Sequence, residues 1–209
     1  MSGSGKQVST RRRRSTGSPT GVARKELIVR AAAKVFAEKG FANATVRDIA
    51  DEADMLSGSL YYYFDSKEAM VEEVLAAYLD LTVTGYQRAA DELADPVEAL
   101  HKLVSLALHG LVQYRAEVTI LQNDWHSIRP IESIVRRQRE VETIWLGTLE
   151  RGVAAGVFRS DLDLRMVYRT LMGAIQAVIR WFDPRGKVSV DEVIEVQSAI
   201  LLDGIRSSR

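Results

Sequence analysis

Apolar residues recur three and four positions apart along most of this chain, the spacing of helices buried along one face. Over residues 22–39 the stripe is Leu27, Ile28, Ala31, Ala32, Val35 and Phe36. Gly40 stands where a left-handed residue ends a helix, and Phe41 folds back toward the stripe. Two shorter periods follow, about 46–53 through Val46, Ile49, Ala50 and Ala53, and about 57–63 around Leu60, with Phe64 also read as core. Thr45 can cap the first, with Asp48 three residues on completing a capping box, and Ser57 can cap the second. Asp65 and Ser66 break the pattern. From Lys67, an apolar face of Ala69, Met70, Val74, Leu75, Ala77, Tyr78, Leu81 and Val83 is sustained for about 20 residues.

The second half reads the same way. Asp95-Pro96 opens a segment that is apolar nearly all round from Leu100 to Val112, expected as a central buried helix ending at Tyr114 and Arg115. Further helices are expected over about 118–128, 131–155, 163–182 and 190–205, broken by Arg129-Pro130, by Gly156 and by Asp183-Pro184-Arg185-Gly186. The last two carry wide apolar faces. These can pair with their twofold copies as a four-helix bundle or bury themselves within one chain.

Composition narrows the classes. The 209 residues can form one domain or two small ones, and the absence of cysteine excludes disulfides, thiol catalysis and cysteine-ligated zinc. No apolar run has the length of a bilayer span, so a cytoplasmic protein without membrane contact is expected. Net charge is zero but unevenly spread. Residues 1–25 hold Lys6, Arg11, Arg12, Arg13, Arg14, Arg24 and Lys25 and no acid, whereas 26–80 hold five basic residues against eleven acids. Residues 1–20 are expected as a disordered basic arm, either a solvated tail or an aid to phosphate contact. His101 and His109 lie eight apart, with Glu98 or Asp124 as conceivable carboxylate partners. Two scattered histidines are more often incidental than metal ligands, so no metal and no cofactor is expected. Catalytic signatures are absent, which argues against an enzyme.

The stretch 45–67 carries the sharpest signal. Two short helices at a tight turn form either an ordinary helical corner or a helix-turn-helix for the DNA major groove. T-V-R-D-I-A-x-x-A followed by S-x-x-L-Y-Y-Y-F-x-S-K-E closely resembles the DNA-binding signature of the TetR (tetracycline-repressor-like) family. The matching positions are Thr45, Val46, Ile49, Ala50, Ala53, Leu60, Tyr61, Tyr63, Phe64, Lys67 and Glu68, with A-A-A-K-V-F-A-E-K-G-F upstream matching the family's first helix.

That resemblance implies an all-α protein with an N-terminal three-helix helix-turn-helix domain, 21–66, plus a C-terminal helical ligand-binding and dimerisation domain, 67–209. It implies a repressor that binds a pseudo-palindromic operator of double-stranded DNA as a homodimer through its last two helices and is released by a small hydrophobic or acyl-coenzyme A-type effector. The alternative is a helical ligand-binding or scaffolding protein that does not bind DNA. Thr45, Arg47 and Lys67 are placed on phosphate, and Ser57, Gly58, Ser59, Tyr61 and Tyr62 toward the groove. Tyr114, Gln122, Asn123, Trp125, His126, Arg129, Trp145, Met172, Gln176 and Arg180 are polar or aromatic residues set in apolar helices. They are candidates for an effector pocket, although Trp125, Trp145 and His126 also read as core or surface. L-S-G-S-L-Y-Y-Y-F and V-I-R-W-F-D-P-R-G further resemble an actinobacterial subgroup that controls lipid and sterol catabolism and responds to coenzyme A thioesters. Met172 and Gln176 depart from the Arg and Trp expected there.

Overall fold

A computed structural model of the chain describes residues 19–207, in which ten helices follow one another. The expected basic arm lies outside the described residues but for its last two positions. The helices are α1 (Pro19–Lys39), α2 (Val46–Glu52), α3 (Ser57–Leu60), α4 (Lys67–Glu92), α5 (Pro96–Gln113), α6 (Arg115–Asn123), α7 (Trp125–Ile128), α8 (Glu132–Ala154), α9 (Leu164–Trp181) and α10 (Val190–Ile205). Among the described residues, no helix is long and apolar enough to cross a membrane.

Local chemistry sets most of the helix ends. Gly40 takes φ +78° and closes α1 by donating its N–H to the Phe36 carbonyl at 2.9 Å. The Thr45–Asp48 capping box opens α2, and the Ser66 hydroxyl opens α4 by accepting from the Ala69 N–H. Asp95 and Asp163 cap α5 and α9, and a second capping box, Ser189 with Glu192, opens α10. Ser57 makes no cap. The N-cap of α3 is Leu56, with no side-chain hydrogen bond, and α3 ends after four residues where a helix over 57–63 was expected. Residues 61–63 continue as turns, with the Tyr63 N–H on the Leu60 carbonyl.

Two apolar cores lie along α4. One gathers α1, α2, α3 and the first half of α4, with Ile120, Ile128 and Ile134 from α6, α7 and α8. The other gathers Tyr86 and Ala89 of α4 with α5, α8, α9 and α10 around the fully buried Trp145. The buried face of α4 is Met70, Val71, Val74, Leu75, Leu79, Tyr86 and Ala89, while Ala77 and Leu81 are exposed. Leu27 likewise faces outward on α1. In both helices apolar residues flank the true face on either side, so spacing alone leaves the phase open by one position. Polar ties hold α4 to α8: Arg137 pairs with Asp80, Ser133 donates to Glu72, and Arg151 donates to the Ala90 carbonyl.

Candidate functional site

The reading head is built around one turn. After α2, Asp54 adopts φ +51°, and the Met55 N–H reaches back to the Ala50 carbonyl at 2.9 Å while the Asp54 N–H meets Asp51. This is a Schellman closure with Asp in the left-handed position that glycine usually fills. It turns the chain sharply enough to set α3 across α2, with Leu60 and Phe64 buried beneath.

On the outer side, Tyr61 and Tyr62 are 56 % and 64 % exposed, and a side chain added at Gly58 would meet nothing within 4 Å. The hydroxyls of Ser57, Ser59, Tyr61 and Tyr62 bond to no group among the described residues, so their donors and acceptors remain open to a ligand. Arg47 is also exposed, with Asp51 at a loose 3.9 Å. Thr45 is committed more fully: its hydroxyl donates to the Asp48 carboxylate at 2.7 Å and accepts the Asp48 N–H at 3.1 Å.

Lys67 departs from the expectation of a phosphate contact. Its ammonium donates to the Phe41 and Ala44 carbonyls at 2.7 and 2.9 Å, with Ala42 at 3.4 Å, and lies 4.5 Å from the centre of the Phe41 ring. An ammonium has three donors, and here all three point into the α1–α2 turn. Lys67 therefore fastens the start of α4 to that turn.

Part of the acidity of this unit is paired internally. Asp48 pairs with Lys39 at 2.7 Å, and Glu52 with Lys34 at 2.8 Å. The Lys39 ammonium, with help from Thr45, holds the Asp48 carboxyl down at about 2. Lys25 bonds Glu73 at 2.6 Å and lies over the Phe64 ring. Two of the three α2 acids, Asp48 and Glu52, thus face lysines of α1.

A cavity of about 860 Å³ opens between α4, α5, α6, α8 and α9. Of the expected pocket residues, Gln122, Trp125, Met172, Gln176 and Arg180 line it. Tyr114, Asn123, His126, Arg129 and Trp145 do not. Tyr114 instead stacks on Tyr78 at 5.3 Å, and Trp145 fills the core behind the cavity wall. His126 and Arg129 point to solvent; the helix expected over 118–128 breaks at Asp124, and Arg115 begins α6 rather than ending α5.

Three tyrosines that sequence reasoning passed over as site residues line the cavity: Tyr78, Tyr86 and Tyr168. Tyr86 is 6 % exposed and its hydroxyl has no partner among the described residues. Burial pushes that phenol well above its ordinary pKa and raises Tyr168 to about 12. The Trp145 ring meets both, at 5.7 and 6.4 Å, and its buried Nε1 is also unpartnered. Arg139, Arg180 and Glu142 supply charge elsewhere on the wall. The cavity wall is mixed, with tyrosines, glutamines and charged groups among apolar residues, and both guanidinium groups belong to exposed residues.

A helix-turn-helix followed by a helical domain with an internal cavity defines a ligand-regulated DNA-binding protein. Residues 28–74 match the profile of the bacterial regulatory proteins of the tetR family, and 93–205 that of the tetracyclin repressor-like C-terminal domain. The chain belongs to the TetR family of transcriptional regulators. It is 38 % identical over 189 residues to the HTH-type transcriptional repressor KstR2 of Mycolicibacterium smegmatis, covering 89 % of this chain and 92 % of that one. The solved structure of the ketosteroid transcriptional regulator KstR2 of Mycobacterium tuberculosis superposes with a TM-score of 0.81 at 34 % identity, over 88 % of this chain and 96 % of that one. AibR, solved with isovaleryl coenzyme A and operator DNA, shares the fold with a TM-score of 0.75 at 17 % identity, over 86 % of this chain and 98 % of that one. These relatives are regulators rather than enzymes.

Proposed function

We propose that the chain is a ligand-responsive transcriptional repressor that binds a pseudo-palindromic operator as a homodimer and is released by an amphipathic effector of the acyl-coenzyme A type. The observation that carries the effector half is Tyr86, a buried residue on the cavity wall whose hydroxyl bonds to no described residue and stays accessible. A hydroxyl open to the cavity can exchange water for an acceptor on a bound ligand, worth about 0.5–1.5 kcal/mol net. Met172, Ile175 and Val141 offer apolar contact to the body of such a molecule, and Gln122, Gln176 and Trp125 adaptable contact beside it. Arg139 and Arg180 suit an anionic end. The names of the KstR2 relatives support a steroid-derived body.

For the operator half, Ser57, Gly58, Ser59, Tyr61 and Tyr62 face the groove, with Thr45 and Arg47 at its phosphate edge and Lys67 positioning the unit. Exposed apolar side chains on the last two helices support the dimer: Met166 and Trp181 on α9, Val196 and Ile200 on α10, each more than half exposed. Twofold symmetry then sets the half-sites about one helical turn, or a multiple, apart. Residues 21–66 act as the DNA-binding domain and 67–209 as the effector and dimerisation domain, in the cytoplasm.

The test is a mobility shift at moderate salt with duplexes selected from a random pool, titrated with acyl-coenzyme A and steroid acyl-coenzyme A compounds. A sequence-specific complex released by one of them is expected. Absence of any specific complex would favour the non-DNA-binding alternative and overturn the proposal.

A further inference from the structure

Leu56 sits between the Asp54 turn and the first turn of α3, and among the described residues it has the most exposed large apolar side chain, at 80 %. The fold makes no use of that side chain. Its backbone is extended, with φ −75° and ψ 134°, and its carbonyl accepts the Ser59 N–H at 2.7 Å, but the leucyl group caps nothing. A single exposed leucine is ordinary on a protein surface. The setting of this one is not. It stands at the head of α3, with Tyr61 and Tyr62 exposed and the open surface of Gly58 within six residues of it. The segment 54–66 contains no Lys or Arg, so no residue in it can make the bidentate contact that marks guanine.

Of the groups that base pairs present in the major groove, one is apolar: the C5-methyl of thymine. We infer that Leu56 is a specificity-determining residue that packs on a thymine methyl in each operator half-site. The inference rests on the DNA-binding reading above. The Schellman turn supports it physically, because the closure that sends Met55 inward against the core also fixes where Leu56 leaves the surface. A leucine held this way loses little backbone freedom on binding, and burying its methyls against another methyl removes apolar surface from water on both sides.

Thymine and uracil differ at this position by the methyl alone, which gives a direct test. Full-length protein selects duplexes from a random pool, and the best operator is remade with deoxyuridine in place of each thymidine in turn. One position per half-site is expected to lose about fourfold in affinity, the worth of one buried methyl group. Leu56→Ala is expected to bind the thymidine and deoxyuridine forms of that position equally, with an unchanged melting temperature. If no replacement weakens the wild type, or if Leu56→Ala keeps the fourfold preference, the inference is wrong while the DNA-binding reading stands. If no duplex is selected at all, that reading fails and takes the inference with it.

Discussion

Replacing Lys67 by Met separates two roles that sequence alone runs together. Met keeps the apolar stem against Phe41 and removes the ammonium. The structure assigns that ammonium two short hydrogen bonds to carbonyls, at 2.7 and 2.9 Å, a longer one at 3.4 Å, and a place over an aromatic ring. Hydrogen bonds from a charged donor are worth about 1.5–3 kcal/mol each, and the half-buried site and the chance for water to replace the donor bring the sum toward about 2–3 kcal/mol. For a chain of this size that lowers the melting temperature by about 4–12 °C.

The second readout is salt. Each phosphate neutralised by a cation adds about 0.9 to the slope of log affinity against log salt. If Lys67 positions the turn and does not touch phosphate, Lys67→Met loses stability and some affinity while the slope stays where it was. Calorimetry together with operator titrations between low and moderate salt would measure both. An unchanged melting temperature with a slope reduced by about 0.9 per protomer would refute the positioning role and return Lys67 to the phosphate backbone.

Four further expectations follow from particular contacts. Tyr86→Phe should weaken the effector by about two- to twelvefold, the worth of one net hydrogen bond, without destabilising the free protein; unaltered affinity by titration calorimetry would remove Tyr86 from the site. The Asp48 carboxyl sits at about 2, below its ordinary 3.8, so it contributes stability above about pH 4 that is lost as pH falls through about 2. Denaturant unfolding between those limits should show a steeper loss for wild type than for Asp48→Asn, and parallel curves would contradict the Lys39 pairing. Gly152→Ala puts a methyl 1.9 Å from the Phe158 ring in a buried contact and should cost about 1–3 kcal/mol; a neutral effect on melting would show that the ring moves freely. Ile200→Asp should shift the protein toward monomer in sedimentation, and an unchanged dimer would move the interface off α10.

Most of the fold was legible because its signals are short-range. Gly40, the Thr45–Asp48 box and Pro96 each act within a turn or two, and the structure uses each of them as expected. Phase was harder. Leu79 and Leu81, two residues apart on α4, compete for one face, and only packing against α8 and α1 decides for Leu79. Around Asp124 the residue types were legible but their facing was not: Trp125 lies on the cavity, whereas His126 and Arg129 on the same short helix and its cap are exposed, and four residues carry too little periodicity to tell them apart. The tyrosines were missed for a different reason. Tyr78 falls naturally into an apolar stripe, and what distinguishes Tyr86 is a missing hydrogen-bond partner, which periodicity cannot register.

The cavity and the reading head meet at one place, the α1–α2 turn, and two routes reach it. Along α4, Tyr78 and Tyr86 stand on the cavity while Lys67, about 16 Å from Tyr78 and about 28 Å from Tyr86 at the helix rise per residue, grips the turn. At the junction of α6 and α7, Gln122 and Trp125 line the cavity, and Asp124 between them lies against Gly40, where an added Cβ would stand 3.4 Å from its Oδ1. Driving such a system from 1 % to 99 % released requires the proposed effector to favour the released state by about 5.5 kcal/mol. A hydrogen bond to Tyr86 supplies about 1 kcal/mol of that. The remaining ~4.5 kcal/mol corresponds to about 180 Å² more apolar surface buried in one state than in the other. An effector therefore works chiefly by the fit of its apolar body. Shortening that body should abolish operator release well before loss of the Tyr86 hydroxyl does, and release that survives the shortening but not Tyr86→Phe would invert this ranking.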